Sequence, residues 1–525
     1  MGRYINIGNA GFQRIRNSEY IDKSGLIAVV NSTLFTERCF SCVSRCRRFG
    51  KSMAAKMLCA YYDHSCDSRQ LFADLQIASD PSFEKHLNKS PVIYLDLSEF
   101  MGSIHDENIV AIIQRELKKD LRKTYPDVAV EEDDSLMQML ISIYEATQIP
   151  FVFIIDEWDA ICRENKPGTQ AMDDYVNWLR SMFKGMNASR VFAAVYMTGI
   201  LPIKKYSTQS ALNNFEEYSM VDPGGMAQYF GFTRAEVQAL SKAHGADFDE
   251  LVKWYDGYQI GGQPSMFNPN SVMLAVNRQW CASYWGKTGA YDNVKDYISM
   301  NYNGLRDDIV NMLAGGRCAV NVTSFRNDLT TISRKDDVLT VLIHLGYLSY
   351  DRVEQECYIP NREVAVEMEN AVEANNWQPV VDALQSSKQL LQALLRGDEQ
   401  AVARGVAAVH TDSTSILSYN DENSLACVIS LAFYYARNNY IIHREYATGS
   451  GFADLVLIPR KNVSSPAIII ELKVDKPADT ALDQIRRRQY PQKLAEYSGT
   501  DLLLVGISYD RETKQHTCRI EPFCK

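Results

Sequence analysis

Three short stretches of this chain carry residue types that can handle phosphate groups. The first is Ser44-Arg45-Cys46-Arg47-Arg48-Phe49-Gly50-Lys51-Ser52. An apolar run, Cys39 to Val43, precedes it and reads as a buried strand, and Met53 to Tyr62 after it reads as a helix. Strand, tight loop and a helix opening with Gly-Lys-Ser form the context of a phosphate-binding loop, in which backbone amides and the helix N-terminus cradle anions. Lys51 is then placed to reach the β- and γ-phosphates of ATP, and the Ser52 hydroxyl to ligate Mg²⁺. The pattern calls for Gly where Arg45 stands, and a side chain there narrows the φ choices of the loop. Gly50 completes the loop. Arg47 and Arg48 read equally as phosphate or subunit contacts and as surface charge.

The second stretch is Phe151-Val152-Phe153-Ile154-Ile155-Asp156-Glu157, an apolar run ending in two acids. A buried strand of an open α/β sheet delivers such groups at its C-terminal edge, where these sheets place their ligands. Asp156 is expected in the Mg²⁺ shell and Glu157 as the base that polarises the attacking water. Taken alone, the run reads as a core strand and a solvated turn; the upstream Gly-Lys-Ser reverses that preference. A further strand, Arg190 to Met197, ends at Thr198-Gly199. Thr198 reads equally as a contact to the γ-phosphate or its water and as a turn residue.

The third stretch lies near the C-terminus, where Gly451-Phe452-Ala453-Asp454 opens a strand and Ala467 to Lys473 forms the next, carrying Glu471 and Lys473. Strand alternation puts Glu471 and Lys473 on one face. With Asp454 from the adjacent strand they make a hard-oxygen site for Mg²⁺, beside a lysine that orients or activates water against a phosphodiester. Arg486-Arg487-Arg488, on the helix expected from Ala481 to Tyr497, reads either as a phosphate contact or as a solvated basic face.

The elements that must position these residues alternate strand and helix, which implies a parallel sheet. Strands are expected at Pro91 to Leu97 as well as at the motifs, with a long helix from Ile109 to Tyr125. Trp254, Tyr255, Tyr258, Trp280 and Trp285 read as core of a helical lid. Asp336 to Leu345 reads as a helix followed by a hairpin, the order of a winged helix, with nearby acids that favour packing over DNA contact.

Several runs resemble the AAA-ATPase-like family of bacterial proteins: Tyr20-Ile21-Asp22-Lys23-Ser24, the loop Ser44 to Ser52, Ile155-Asp156-Glu157-Trp158-Asp159 and Met197-Thr198-Gly199-Ile200. Ser210 to Phe215, Tyr229 to Thr233 and Trp254 to Tyr258 look shared as well. The resemblance implies an ATPase core of the additional-strand type, tolerates Arg45 in the loop and gives Glu157 the role of catalytic acid. Members commonly carry a C-terminal PD-(D/E)XK nuclease-like domain, and the order helix–strand–strand–strand–helix–strand after residue 421 resembles that superfamily. The carry-over names Asp454 and Glu471 as metal ligands and Lys473 as the catalytic lysine, with Gln484, Tyr490 and, more weakly, Glu422 in support. Ala453 stands where the superfamily's motif has Pro.

The fold class expected is therefore α/β: a P-loop NTPase parallel sheet with helical lid and winged-helix-like region, plus a C-terminal PD-(D/E)XK nuclease-like domain. The boundaries expected are 1–204 for the ATPase-like domain, 205–300 for the lid, 301–366 for the winged-helix-like part, 367–420 for a helical linker and 421–525 for the nuclease-like domain. Two functions follow from different classes. One is an ATP-binding, ATP-hydrolysing protein coupled to a Mg²⁺-dependent nuclease acting on DNA or RNA. The other is a signalling or assembly ATPase whose nuclease-like domain only binds nucleic acid or a partner. A homo-oligomer is compatible with either.

Composition sets outer bounds. No apolar run approaches the ~18–20 residues of a membrane span, and the start lacks a secretory apolar core, so a cytoplasmic protein is expected. Twelve dispersed cysteines fit a reducing compartment. Cys39, Cys42 and Cys46 cluster, but no second Cys/His pair follows at zinc spacing. The net charge of -10 argues against coating nucleic acid by bulk charge. Residues 421–525 hold 14 Lys and Arg against 13 Asp and Glu, so the acidity belongs upstream and the C-terminal segment is the better nucleic-acid candidate.

Overall fold

The computed structural model describes residues 2–101, 108–131, 133–164, 170–203, 205–206, 209–210, 212–261, 263–285, 297–298, 302, 304–313, 316–326, 332–374, 378–413, 422–447, 452–459, 465–488 and 501–523. Contacts divide the chain into two compact units, 1–303 with 317–368, and 304–316 with 369–525.

The first unit is built on a five-stranded sheet: β1 (Phe40–Ser44), β2 (Val92–Asp96), β3 (Phe151–Asp156), β4 (Phe192–Gly199) and β5 (Glu216–Tyr218). Its order is β2-β3-β4-β1-β5, and every pairing is parallel. β4 therefore lies between β1 and β3, the additional-strand arrangement expected above. β1, β3 and β4 are buried along their whole length because helices cover both faces, which is why they read as unbroken apolar runs. One core holds Ile113, Leu117 and Leu121 of the helix Ile109–Thr124 against Phe153 and Ile155; the other holds Leu58 and Tyr62 of the helix Lys51–Tyr62 against Val152 and Ile154. Each such side chain contributes roughly 1.5–3 kcal/mol by leaving water.

The stretch read as a helical lid holds three helices, Arg234–His244, Phe248–Tyr255 and Pro269–Arg278, in one core with Phe232 and Phe267. It also holds a three-stranded antiparallel sheet of Phe232–Thr233, Gln263–Phe267 and Tyr258–Ile260, which was not expected. Two of these strands are too short for alternation to reveal, and the third shifts register along its length. Tyr255, Tyr258 and Trp285 are core, as read, while Trp280 is 69% exposed. The helix–hairpin is present as Lys335–Leu345, Ser349–Asp351 and Glu356–Tyr358, with Cys318–Ala319 added on the second strand of the hairpin.

The second unit carries a five-stranded sheet: β6 (Tyr440–Ala447), β7 (Phe452–Pro459), β8 (Ala467–Val474), β9 (Leu502–Asp510) and β10 (Gln515–Phe523), paired in that order. Only β8 and β9 run parallel. β10 was not anticipated: its alternation, Gln515-His516-Thr517-Cys518-Arg519-Ile520, is that of an edge strand with few apolar residues. The helices Gln378–Leu395 and Glu399–Ser413, read as a linker, share a core with one face of this sheet through Leu390, Leu394, Val402 and Val406. Among the described residues no helix is long and apolar enough to cross a membrane.

Candidate functional site

The loop after β1 ends at Gly50, whose φ of +90° is a left-handed conformation natural to glycine, and the helix Lys51–Tyr62 starts immediately. Lys51 is buried and its Nζ donates to Cys46 O at 3.0 Å, so the ammonium folds back over the loop. The Ser52 side chain draws down the pKa of the Asp156 carboxyl at the end of β3. Asp156 also receives the Tyr94 hydroxyl at 3.3 Å and the Glu157 amide at 3.0 Å. Burial pushes the Asp156 carboxyl up to about 6, against the pull of Ser52 and Lys51. Lys51, Ser52 and Asp156 thus converge, as parallel pairing through β4 requires.

A cavity of about 360 Å³ opens beside this loop. Arg48, Gly50, Lys51, Ser52 and Glu157 line it, together with the apolar Ile21, Met53, Met57, Phe232 and Met273. Thr198 stands opposite Asp156 in register, and its Oγ1 is buried with no hydrogen-bond partner among the described residues. Arg48, at φ +68°, donates to Tyr284 O at 3.1 Å. Arg47 is half-buried and outside the cavity lining.

Arg45 departs from the reading as a nucleotide contact. It is fully buried and outside the cavity lining. Its NH1 donates to Ser44 O, Tyr218 O and Ser219 O at 2.8, 2.9 and 3.1 Å, and its guanidinium lies 5.4 Å from the Phe230 ring centre. The residue standing in for the loop's first glycine spends its charge tying the loop to the end of β5.

Glu157 sits at φ +53°, and its Oε2 receives the NH2 of Arg163. Arg163 Nε donates to Asp159 Oδ2 at 3.0 Å. Sequence reasoning assigned no role to Tyr94, Asp159 or Arg163. For the last two a signal existed: their four-residue spacing is that of a helical ion pair.

In the C-terminal unit, β7 and β8 pair from Leu455 opposite Ile470 onward, and Asp454 and Glu471 lie one residue beyond that last pair on each strand. Asp454 Oδ2 accepts the Leu472 amide at 2.7 Å. Lys473 Nζ lies 3.4 Å from Glu471 Oε1 and donates to Leu472 O at 2.7 Å. Gln484 Nε2, from the helix Ala478–Arg487, donates to the same Glu471 oxygen. That helix approaches closely at Gly506, where a Cβ would stand 2.4 Å from Ala478 O. Glu471 Oε2 is buried with no partner among the described residues. Burial, then the charge of Asp454, pushes Glu471 up to about 7, with Lys473 opposing.

These features fit a divalent cation: two coupled carboxylates, one with an orphaned buried oxygen. Arg486 is ion-paired with Glu521 and Asp483. Tyr490 and the side chain of Glu422 lie outside the described residues.

Comparison with known proteins follows the same division. Residues 6–208 match the family described as Predicted AAA-ATPase, and residues 420–518 match the PD-(D/E)XK nuclease superfamily. An uncharacterized protein in the vnfD 5' region of Azotobacter chroococcum mcd 1 is 22% identical over 536 residues, 97% of each chain. The Aeropyrum pernix ORC2 protein, solved as ADPNP–ADP complexes, aligns at 12% identity over 69% of this chain and 98% of its own, with a TM-score of 0.30. The ORC1 protein of that organism, solved with DNA, aligns at 11% identity over 73% of this chain and 100% of its own, with a TM-score of 0.26. At that level neither adds to the fold read from the strands above. By the two family matches, the chain carries an AAA-ATPase-like domain followed by a C-terminal domain of the PD-(D/E)XK nuclease superfamily.

Proposed function

We propose that this chain binds and hydrolyses ATP in its first unit and cuts nucleic-acid phosphodiesters in its second, each reaction dependent on a divalent cation. One observation carries the reading. Residues from separate elements converge twice on anion chemistry: Lys51 and Ser52 of a helix start with Asp156 of β3, and Asp454 of β7 with Glu471 and Lys473 of β8.

In the first site Lys51 leaves Cys46 O for the phosphates, while Arg48 lines the same cavity. Glu157 takes the proton of the attacking water as its oxygen bonds to the γ-phosphorus. The bond from that phosphorus to the bridging oxygen breaks, and ADP and phosphate leave. Ser52 and Asp156 would hold Mg²⁺, which neutralises charge on the phosphate oxygens. The Thr198 hydroxyl, buried without a partner, suits a phosphate oxygen or the water.

In the second site Asp454 and Glu471 would hold the cation, which supplies Lewis acidity toward the phosphodiester. Lys473 orients the attacking water. Gln484 fixes the Glu471 carboxylate so that its second oxygen stays open to a ligand. The chain's net charge of -10 favours a second reading, a signalling or assembly ATPase whose nuclease-like domain only binds nucleic acid or a partner.

Incubating the full chain with DNA and with RNA, in Mg²⁺ and in EDTA, separates the two. Mg²⁺-dependent cleavage abolished by Lys473→Ala supports the proposal. Binding without cleavage supports the second reading, and cleavage unchanged in Lys473→Ala removes the nuclease assignment. In the ATPase, Glu157→Gln is expected to retain ATP and stop turnover.

A further inference from the structure

Resting on the reading of Glu157 as the acid that takes the water proton, we propose that Arg163 is a positioning residue. It ties Glu157, through Asp159, to the loop that follows β4. The contacts form one chain. Asp159 is fully buried. Its carboxylate accepts the Leu201 amide at 2.8 Å and the Ile200 amide at 3.2 Å. The same turn is stitched to β4 by Trp158, whose amide donates to Thr198 O at 3.0 Å and whose indole donates to Leu201 O at 3.2 Å. Arg163 then bridges outward, giving Nε to Asp159 at 3.0 Å and NH2 to Glu157.

A guanidinium is suited to this task. Its donors lie in one rigid plane, so one carboxylate sets the direction in which the other is held. Glu157 needs such a guide because its backbone sits at φ +53°, in a region non-glycine residues rarely occupy, and it follows the last residue of β3. Arg163 is only 10% exposed on its side chain, so this bridge is weakly screened by solvent. The near end of the relay is Thr198, whose unpaired hydroxyl stands in register with Asp156. A ligand oxygen that moves the 198–201 loop moves Asp159 with it, and Arg163 passes that movement to Glu157. The relay makes the catalytic acid answer to the occupant of the phosphate site.

The test is steady-state and single-turnover ATP hydrolysis by the full chain. Arg163→Ala is expected to lower kcat about tenfold or more, while KM for ATP and affinity for ADP stay within about twofold. Arg163→Lys, which keeps charge but not the fork, recovers part of the loss. In a Glu157→Asp background, whose shorter carboxylate leaves a slower but measurable single-turnover rate, adding Arg163→Ala produces no further fall, because the two residues act as one unit. Far-ultraviolet circular dichroism and melting separate a misfolded Arg163→Ala, and Arg163→Lys with Arg163→Gln then carry the test. An unchanged kcat in the Arg163 variants of a hydrolysing protein overturns this inference alone. Losses that multiply in the double variant overturn it too. A wild-type chain that binds ATP and never hydrolyses it overturns the role of Glu157 and this inference with it.

Discussion

Ser52, in the first turn of the helix after the phosphate loop, lies close enough to Asp156 at the C-terminal end of β3 to draw its carboxyl pKa down. β4 separates β3 from β1, the strand that leads into that loop. Ser52→Ala removes the hydroxyl from one side of the expected Mg²⁺ position. Nucleotide affinity measured by titration calorimetry is expected to fall about tenfold in Mg²⁺ and to change little in EDTA, since a lost bond to a charged group is worth roughly 1.5–3 kcal/mol.

Asp156 should make the cation-free protein more stable in mild acid. Its carboxyl is held up to about 6 in the folded chain, against an ordinary 3.8. The folded state therefore keeps a proton that the unfolded chain releases, and stability from this group falls as pH rises from near 4 through about 6. Asp156→Asn removes that penalty. Without Mg²⁺ its melting temperature is expected above wild type at pH 7.5, with the difference vanishing toward pH 4. A constant difference across that range would assign the effect to something other than ionisation.

Glu471 gives the C-terminal site the same sign at higher pH. Burial and Asp454 push its carboxyl up to about 7 against an ordinary 4.5, so the fold loses this contribution as pH rises across that window. A divalent cation competes with the proton. Mg²⁺ affinity is expected to rise with pH through about 7, and thermal stabilisation by Mg²⁺ to be larger at pH 8 than at pH 5.5. Glu471→Gln removes the part of that pH dependence centred at about 7.

Gly199, at the end of β4, has no room for a side chain. A Cβ there would lie 2.5 Å from Asp159 Oδ1 and 2.6 Å from the Trp158 ring. Both neighbours are buried, and Asp159 is held by backbone amides. Gly199→Ala must push the Glu157–Asp159 turn away from the strand. It is expected to cost roughly 1–3 kcal/mol in denaturant unfolding, as overpacking does, and to lower ATP turnover more than ATP binding. Turnover equal to wild type would uncouple the turn from catalysis.

Much of the scaffold was legible because buried parallel strands announce themselves. Phe151 to Ile155 and Arg190 to Met197 are apolar runs with a buried strand in each, β3 and most of β4. β10 was not read, because an edge strand buries little and Gln515 to Phe523 looks like a polar tail. The sheet of Phe232–Thr233, Gln263–Phe267 and Tyr258–Ile260 escaped because two of its strands have only two and three residues and the third shifts register along its length.

The sequence by itself determined which side chains are available for phosphate and metal chemistry, because those motifs are local: Gly50-Lys51-Ser52, Asp156-Glu157 and Glu471-x-Lys473 each span a few residues. The tertiary structure alone decided what each of them touches. It turned Arg45 onto the carbonyls of Tyr218 and Ser219, laid Gln484 on Glu471, and joined Arg163 to both Glu157 and Asp159. Strand register and helix packing fix those contacts. Both arise from burial summed over whole sheets, so no short window of residues contains them.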